Sequence, residues 1–128
     1  KIKKLLFFMI ALMGYSSVGV TQIKTITPEK AALLIKKKNV TVLDVRTESE
    51  IKEGFIPKSL NIDVLQEDRF REEIKKLNKK SKYIIYCRSG KRSLTAATIM
   101  KNQGFKNVIN MEGGILNWTG PVSKNKNQ

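Results

Sequence analysis

"YIIYCRSGKRSLTAATIM" occupies residues 83–100, and its two halves follow different rules. Residues 82–86 are rich in β-branched and aromatic side chains, the composition of a buried strand. From Ser93 the spacing turns helical and runs to Gly104, a suitable glycine for closing a helix. Cys87, the chain's single cysteine, sits at the junction. A free cysteine is usually a small buried hydrophobe, but three features set this one apart. It lies at a strand-to-helix turn. The next residues, Arg88, Ser89, Gly90, Lys91 and Arg92, include a glycine that lets the loop curl with its N–H groups inward. Such a nest holds anions, and the helix N-terminus adds a positive end. Arg88, Lys91 and Arg92 then raise the local potential. All three effects favour the thiolate, the nucleophilic form. No histidine base is needed, and the chain contains none.

Working outward, "VTVLDVR" (40–46) reads as a second buried strand, with Asp44 and Arg46 where it runs out. Before it, Thr27 caps and Pro28 opens a helix with Ala31, Leu34 and Ile35 on one face. After it come a helical turn closed by Gly54 and a short strand near residues 60–62. An amphipathic helix follows, striped by Leu65, Phe70, Ile74 and Leu77. Beyond Gly104, "NVINM" is a strand, and "GGILNW" a turn and short helix that packs Trp118 on the sheet. Strands alternating with helices predict an α/β fold with a parallel or mostly parallel sheet covered on both faces. Ligand sites in such sheets lie beyond the carboxyl ends of the strands, where Cys87 and Asp44–Arg46 both fall.

The chain has 128 residues, a one-domain length, with 41% hydrophobic residues and a formal charge of +14. One cysteine and no histidine argue against a structural zinc site, and no cofactor is expected. Lysines supply most of the positive charge, with clusters at 36–38 and 75–82 and no interleaved aromatics. They read as a dispersed, solvated surface rather than a nucleic-acid site.

A thiolate in an anion cradle suits substrates that are both anionic and electrophilic. Phosphate monoesters, attacked at phosphorus, are one class. Sulfane sulfur donors such as thiosulfate or persulfides, attacked at sulfur, are the other. Cysteine-dependent phosphatases carry five residues between Cys and Arg; Cys87 and Arg92 are separated by four. The shorter loop makes a smaller ring of amides, better matched to a terminal sulfur than to a tetrahedral phosphate.

At this point the chain resembles the rhodanese-like (sulfurtransferase) domain family in its single-domain form. "LDVRTESEIKEGFIPKSLNI", "YCRSGKRSLTAATIMKNQGF" and "NVINMEGGILNW" are similar to the family's three signature segments, in order and at suitable spacing. The resemblance implies a three-layer α/β/α fold with a central, mostly parallel five-stranded sheet. It implies that Cys87 accepts a sulfane sulfur from thiosulfate or a persulfide and passes it to cyanide or a thiol. The amides of Arg88, Ser89, Gly90, Lys91 and Arg92 would hold the anionic sulfur, and Lys91 and Arg92 would attract the donor. Asp44, Arg46, Glu50 and Ser93 would support the site, with Arg46 paired to an acid such as Glu50 and Asp44 bracing the active loop. Phe55, Lys58 and Ser59 depart from the family's G-H-I-P-G-A pattern. The alternatives are a non-catalytic sulfur-carrier or interaction domain and, behind it, a cysteine-dependent phosphatase.

Residues 1–19 have the layout of a secretory signal: Lys1, Lys3 and Lys4, an apolar core from Leu5 to Met13, then Ser17 and Gly19 as small residues at a cleavage site. A retained membrane anchor is the alternative. The resulting expectation is an exported, periplasmic, monomeric domain over residues 20–122 and a disordered polar tail over 123–128, with no stable membrane association after cleavage.

Overall fold

The computed structural model describes residues 22–124. The expected signal segment therefore lies outside the described residues, as do 125–128. Five strands, β1 (Lys24–Ile26), β2 (Val40–Asp44), β3 (Leu60–Asn61), β4 (Lys82–Tyr86) and β5 (Asn107–Met111), form one sheet in the order 1-5-4-2-3. Every neighbouring pair is parallel. Four helices, α1 (Pro28–Ile35), α2 (Glu48–Lys52), α3 (Glu67–Ile74) and α4 (Lys91–Asn102), connect them, and a 3-10 turn (Gly114–Asn117) follows β5.

Alternation along the strands builds two cores, because successive side chains leave opposite faces. Leu43 and Val45, Tyr83 and Ile85, and Val108 point to one face, under Phe70 and Ile74 of α3 and Ala96, Ala97 and Met100 of α4. Val42, Ile84, Tyr86, Ile109 and Met111 point to the other, under Ala31 and Leu34 of α1, with Ile115 and Trp118 from the closing segment. β2 and β4 are thus buried on both sides, which explains their unbroken apolar runs. Trp118 packs as expected, and its indole N–H donates to the Pro121 carbonyl at 3.0 Å.

Two sequence expectations change. The helix read over residues 64–81 is shorter, Glu67–Ile74, and Leu65 is 64% exposed. Residues 62–66 are held in a turn: the Val64 N–H donates to the Val45 carbonyl and the Leu65 N–H to Asp63 Oδ1. The second change is at Ser123, the expected start of the polar tail. It exchanges two 2.9 Å backbone hydrogen bonds with Phe55 and so ties the C-terminal segment to the turn after α2. Lys58, where the family pattern has glycine, sits at a φ of 65°, the left-handed region in which glycine is unstrained.

The chain leaves β2 toward one edge of the sheet and leaves β4 toward the other. The carboxyl ends of these adjacent strands therefore frame a crevice that no connection covers, the usual place for a ligand. Cys87 follows β4 there, and Val45–Arg46 follow β2.

Candidate active site: a thiol beneath a ring of amides

The loop between β4 and α4 turns on Gly90, which has a φ of 101° and precedes the first residue of the helix. The turn brings the Gly90 N–H back onto Cys87 Sγ at 3.1 Å. The Cys87 side chain is almost wholly buried, 1% exposed, and joins the core cluster shared by β4 and α4. Its sulfur is nevertheless not sealed in hydrocarbon. Burial pushes the thiol's pKa up, but the Ser93 hydroxyl and the amides of Ser93, Gly90 and Ser89 act against burial and leave it below the ordinary thiol value. Of the five loop amides expected to hold sulfur, the one that hydrogen-bonds Sγ is that of Gly90.

Ser93 is placed more tightly than its sequence role as a supporting residue suggests. Its hydroxyl lies 3.4 Å from Cys87 Sγ and donates to Asn110 Oδ1 at 2.6 Å. A hydroxyl has one proton. It goes to Asn110 in this arrangement and stabilises the thiolate when it turns to Sγ. The side chain of Asn110, buried on β5, is part of the site that sequence reasoning passed over. Its only sequence signal is a polar residue inside the apolar run "NVINM".

The carbonyl side of the loop is equally fixed. Cys87 C=O accepts the Ile115 N–H at 2.9 Å, and Arg88 C=O accepts the Leu116 N–H at 3.2 Å. These two bonds fix the start of the loop and so give the turn that brings the Gly90 N–H onto the sulfur a rigid base. Gly114 makes this approach feasible. A Cβ there would stand 2.4 Å from the Arg88 oxygen and 2.5 Å from the Cys87 oxygen, and its φ of 59° is left-handed. Gly114→Ala is therefore expected to loosen the clamp. It should cost about 1–3 kcal/mol and slow sulfur transfer at least tenfold, read as a urea midpoint and a turnover rate. An unchanged rate would separate the clamp from the chemistry.

The charged supports pair differently from the expectation. Arg46 does not meet Glu50. Its Nη2 bonds Asp44 Oδ2 at 2.7 Å and the Gly54 carbonyl at 2.7 Å, and its backbone N–H bonds Asp44 Oδ1 at 3.0 Å. Only Val45 separates the pair, and the chain bends back at the end of β2, so Asp44 reaches Arg46 first. Asp44 is consequently spent on Arg46 and does not brace the active loop. Burial works against the Arg46 charge, but the hydrogen bonds and field of Asp44 more than offset it and raise its pKa. The guanidinium also lies over the Tyr86 ring, 5.5 Å from its centre.

Glu50 instead grips Arg92 with both oxygens, at 2.7 and 2.9 Å. It is also the far half of a capping box with Thr47, a T-x-x-E signal visible in the sequence. Arg92 is therefore neutralised and oriented by α2. Arg88 and Lys91 are the exposed cations of the loop.

The Arg92 hydrogen bond is the main reason the Glu50 carboxyl falls to about 2. A depressed carboxylate contributes stability above its unfolded value, and that contribution is lost as pH falls through the folded one. Glu50→Gln should cost about 1 kcal/mol at neutral pH, the pair being partly solvated. The penalty should shrink between pH 4.5 and pH 2, as urea unfolding at several pH values would show. An equal penalty throughout would remove the ionised pair from the account.

An open, all-parallel α/β sheet with a buried thiol at the tip of a central strand and a loop amide on its sulfur is the class of fold and site this chain presents. The comparisons give the particular family. Residues 27–121 match the rhodanese-like domain model, and the chain belongs to that family. It is similar to a sulfurtransferase of Allochromatium vinosum, 37% identical over 86 residues that cover 66% of this chain and 77% of the relative. It is 35% identical over 99 residues to a tRNA uridine(34) hydroxylase of Pelagibacter ubique, covering 77% of this chain but only 33% of that longer protein. Among solved structures, a rhodanese-related protein of Thermoplasma volcanium superposes with a TM-score of 0.71 at 33% identity, over 80% of this chain and 99% of the other. The three-layer fold is that of the family, with a sheet that is parallel at every pairing.

Proposed function

We propose that the protein is a sulfurtransferase that carries a sulfane sulfur on Cys87. The Gly90 amide 3.1 Å from Sγ is the observation that carries this reading. It supports a thiolate before transfer and an anionic terminal sulfur after it. In the first half-reaction the thiolate attacks the outer sulfur of thiosulfate. The S–S bond to the sulfonate breaks with its electron pair, sulfite leaves, and Cys87 becomes a persulfide anion. In the second, a thiolate or cyanide takes the terminal sulfur, forming a persulfide or thiocyanate and returning the Cys87 thiolate. No proton need move in either step once the thiolate is formed, which suits a site without histidine. Arg88 and Lys91, exposed at the loop, draw the dianionic donor in.

The bidentate hold of Glu50 on Arg92 favours this reading over phosphatase chemistry. It occupies both arms of the guanidinium with a carboxylate that would compete with a phosphoryl group for them. The working form is an exported monomer. The test is direct. Protein incubated with thiosulfate should gain the mass of one sulfur at Cys87, and adding cyanide should release thiocyanate and restore the original mass. Hydrolysis of p-nitrophenyl phosphate without any such gain would overturn the assignment. A mass gain with no turnover to cyanide or thiols would leave a sulfur carrier in place of an enzyme.

A further inference from the structure

We propose that the end of the domain opposite Cys87 is a docking surface for an anionic lipid bilayer. Lys36–Lys38 and Lys75–Lys82 are far apart in sequence, and their dispersed appearance there does not survive folding. Lys37, Lys38, Lys80 and Lys82 line one cleft of about 550 Å³, together with Asn39, Asn78 and Asn107, and none of the residues lining it is acidic. Lys106 donates its N–H to the Lys79 carbonyl at 3.2 Å and so brings two more lysines to the same end.

The sheet explains the convergence. Val40, Lys82 and Asn107 lie level in register at the starts of β2, β4 and β5. All strands being parallel, their starts share one end of the molecule and the Cys87 loop the other. Five strand residues at about 3.3 Å each separate Lys82 from Cys87. Lysines at the ends of α1 and α3 also complement the helix C-termini. That does not account for Lys82 and Lys106, which sit at or just before the starts of strands.

The chain's path points to the occupant. β1 runs parallel to β5, with Lys24 opposite Ile109, so the chain enters the domain from the lysine end. Residues 1–21 precede that entry, with their apolar run Leu5–Met13 and three further lysines. An apolar segment joined to a lysine-lined face suits a bilayer carrying anionic headgroups. Nucleic acid is disfavoured because no aromatic side chain lines the cleft to stack on bases. Lysine ammonium groups, as compact point charges, match scattered headgroups without requiring a fixed geometry. Docked this way, the protein turns its active loop to the aqueous side. The sequence expectation of no stable membrane association concerned the chain after signal cleavage; the docking proposed here is that of the full chain with its apolar segment in place.

The test uses the full chain and sedimented vesicles of phosphatidylcholine alone or with one quarter phosphatidylglycerol. The apolar segment meets both, so the difference between them reads the lysines. Binding to the anionic vesicles should be at least about tenfold tighter at 50 mM salt, and the advantage should collapse at 500 mM. A triple variant, Lys37→Glu, Lys38→Glu and Lys80→Glu, should lose the advantage while keeping its circular dichroism and thiosulfate turnover. Equal binding to both vesicles, or a preference that survives in a folded variant, would overturn the proposal. So would tighter binding to a single-stranded oligonucleotide than to the anionic vesicles at the same salt, which would make this face a nucleic-acid surface.

Discussion

Cys87→Ser is expected to lower thiosulfate:cyanide transfer by at least about a thousandfold and to abolish the mass gain of one sulfur, because a hydroxyl does not form the relay intermediate. The substitution is conservative in shape. Serine is slightly smaller, its oxygen can still accept the Gly90 N–H, and Ser93 remains within reach. The variant should therefore fold with nearly native stability, and the loss should be chemical. Measuring the urea midpoint beside the rate makes this distinction. A folded variant with native turnover would remove Cys87 from the mechanism and with it the reading of the loop as a sulfur cradle.

Arg46→Leu should produce the largest loss of stability of any substitution near the site, about 3–5 kcal/mol, the range for removing one member of a buried ion pair. Asp44 is fully buried and Arg46 is 4% exposed. Without the guanidinium, the Asp44 carboxylate keeps only the Arg46 backbone N–H among its present donors, and it cannot reach water. The Gly54 carbonyl loses its partner as well, so the turn between α2 and β3 loosens. Adding Asp44→Asn should recover part of the loss by removing the stranded charge, a result that simple lost packing would not give. A cost below about 1 kcal/mol for the single variant would show that the pair is dispensable. Activity should fall less than stability, because Asp44 and Arg46 hold each other and the end of β2, not the sulfur.

The order of elements and the position of Cys87 were legible in the sequence because they rest on local chemistry. The doubly buried runs 40–46 and 82–87, the glycine at position 90 and the helical spacing after it each constrain only their own neighbourhood. The partners were not legible in the same way. Whether Arg46 meets Asp44 or Glu50 depends on how the chain bends after β2, which no spacing rule states. Thr47 and Glu50 did carry a capping signal, and that signal already tied Glu50 to α2. Asn110 was hidden because its meaning appears only when β5 lies beside β4 and Ser93 stands above it. The shared position of the lysines was hidden for a related reason: two clusters separated by almost forty residues come to one end of the domain only in a parallel sheet.

The last feature with wider reach is the docking of the 3-10 turn on the carbonyls of Cys87 and Arg88. The start of the Cys87 loop is thus held by a segment beyond β5, remote from the thiol along the chain. Whatever frees Gly114–Leu116, a substitution or a nick in that segment, should slacken the loop and blunt the sulfur's reactivity while leaving Cys87 itself untouched.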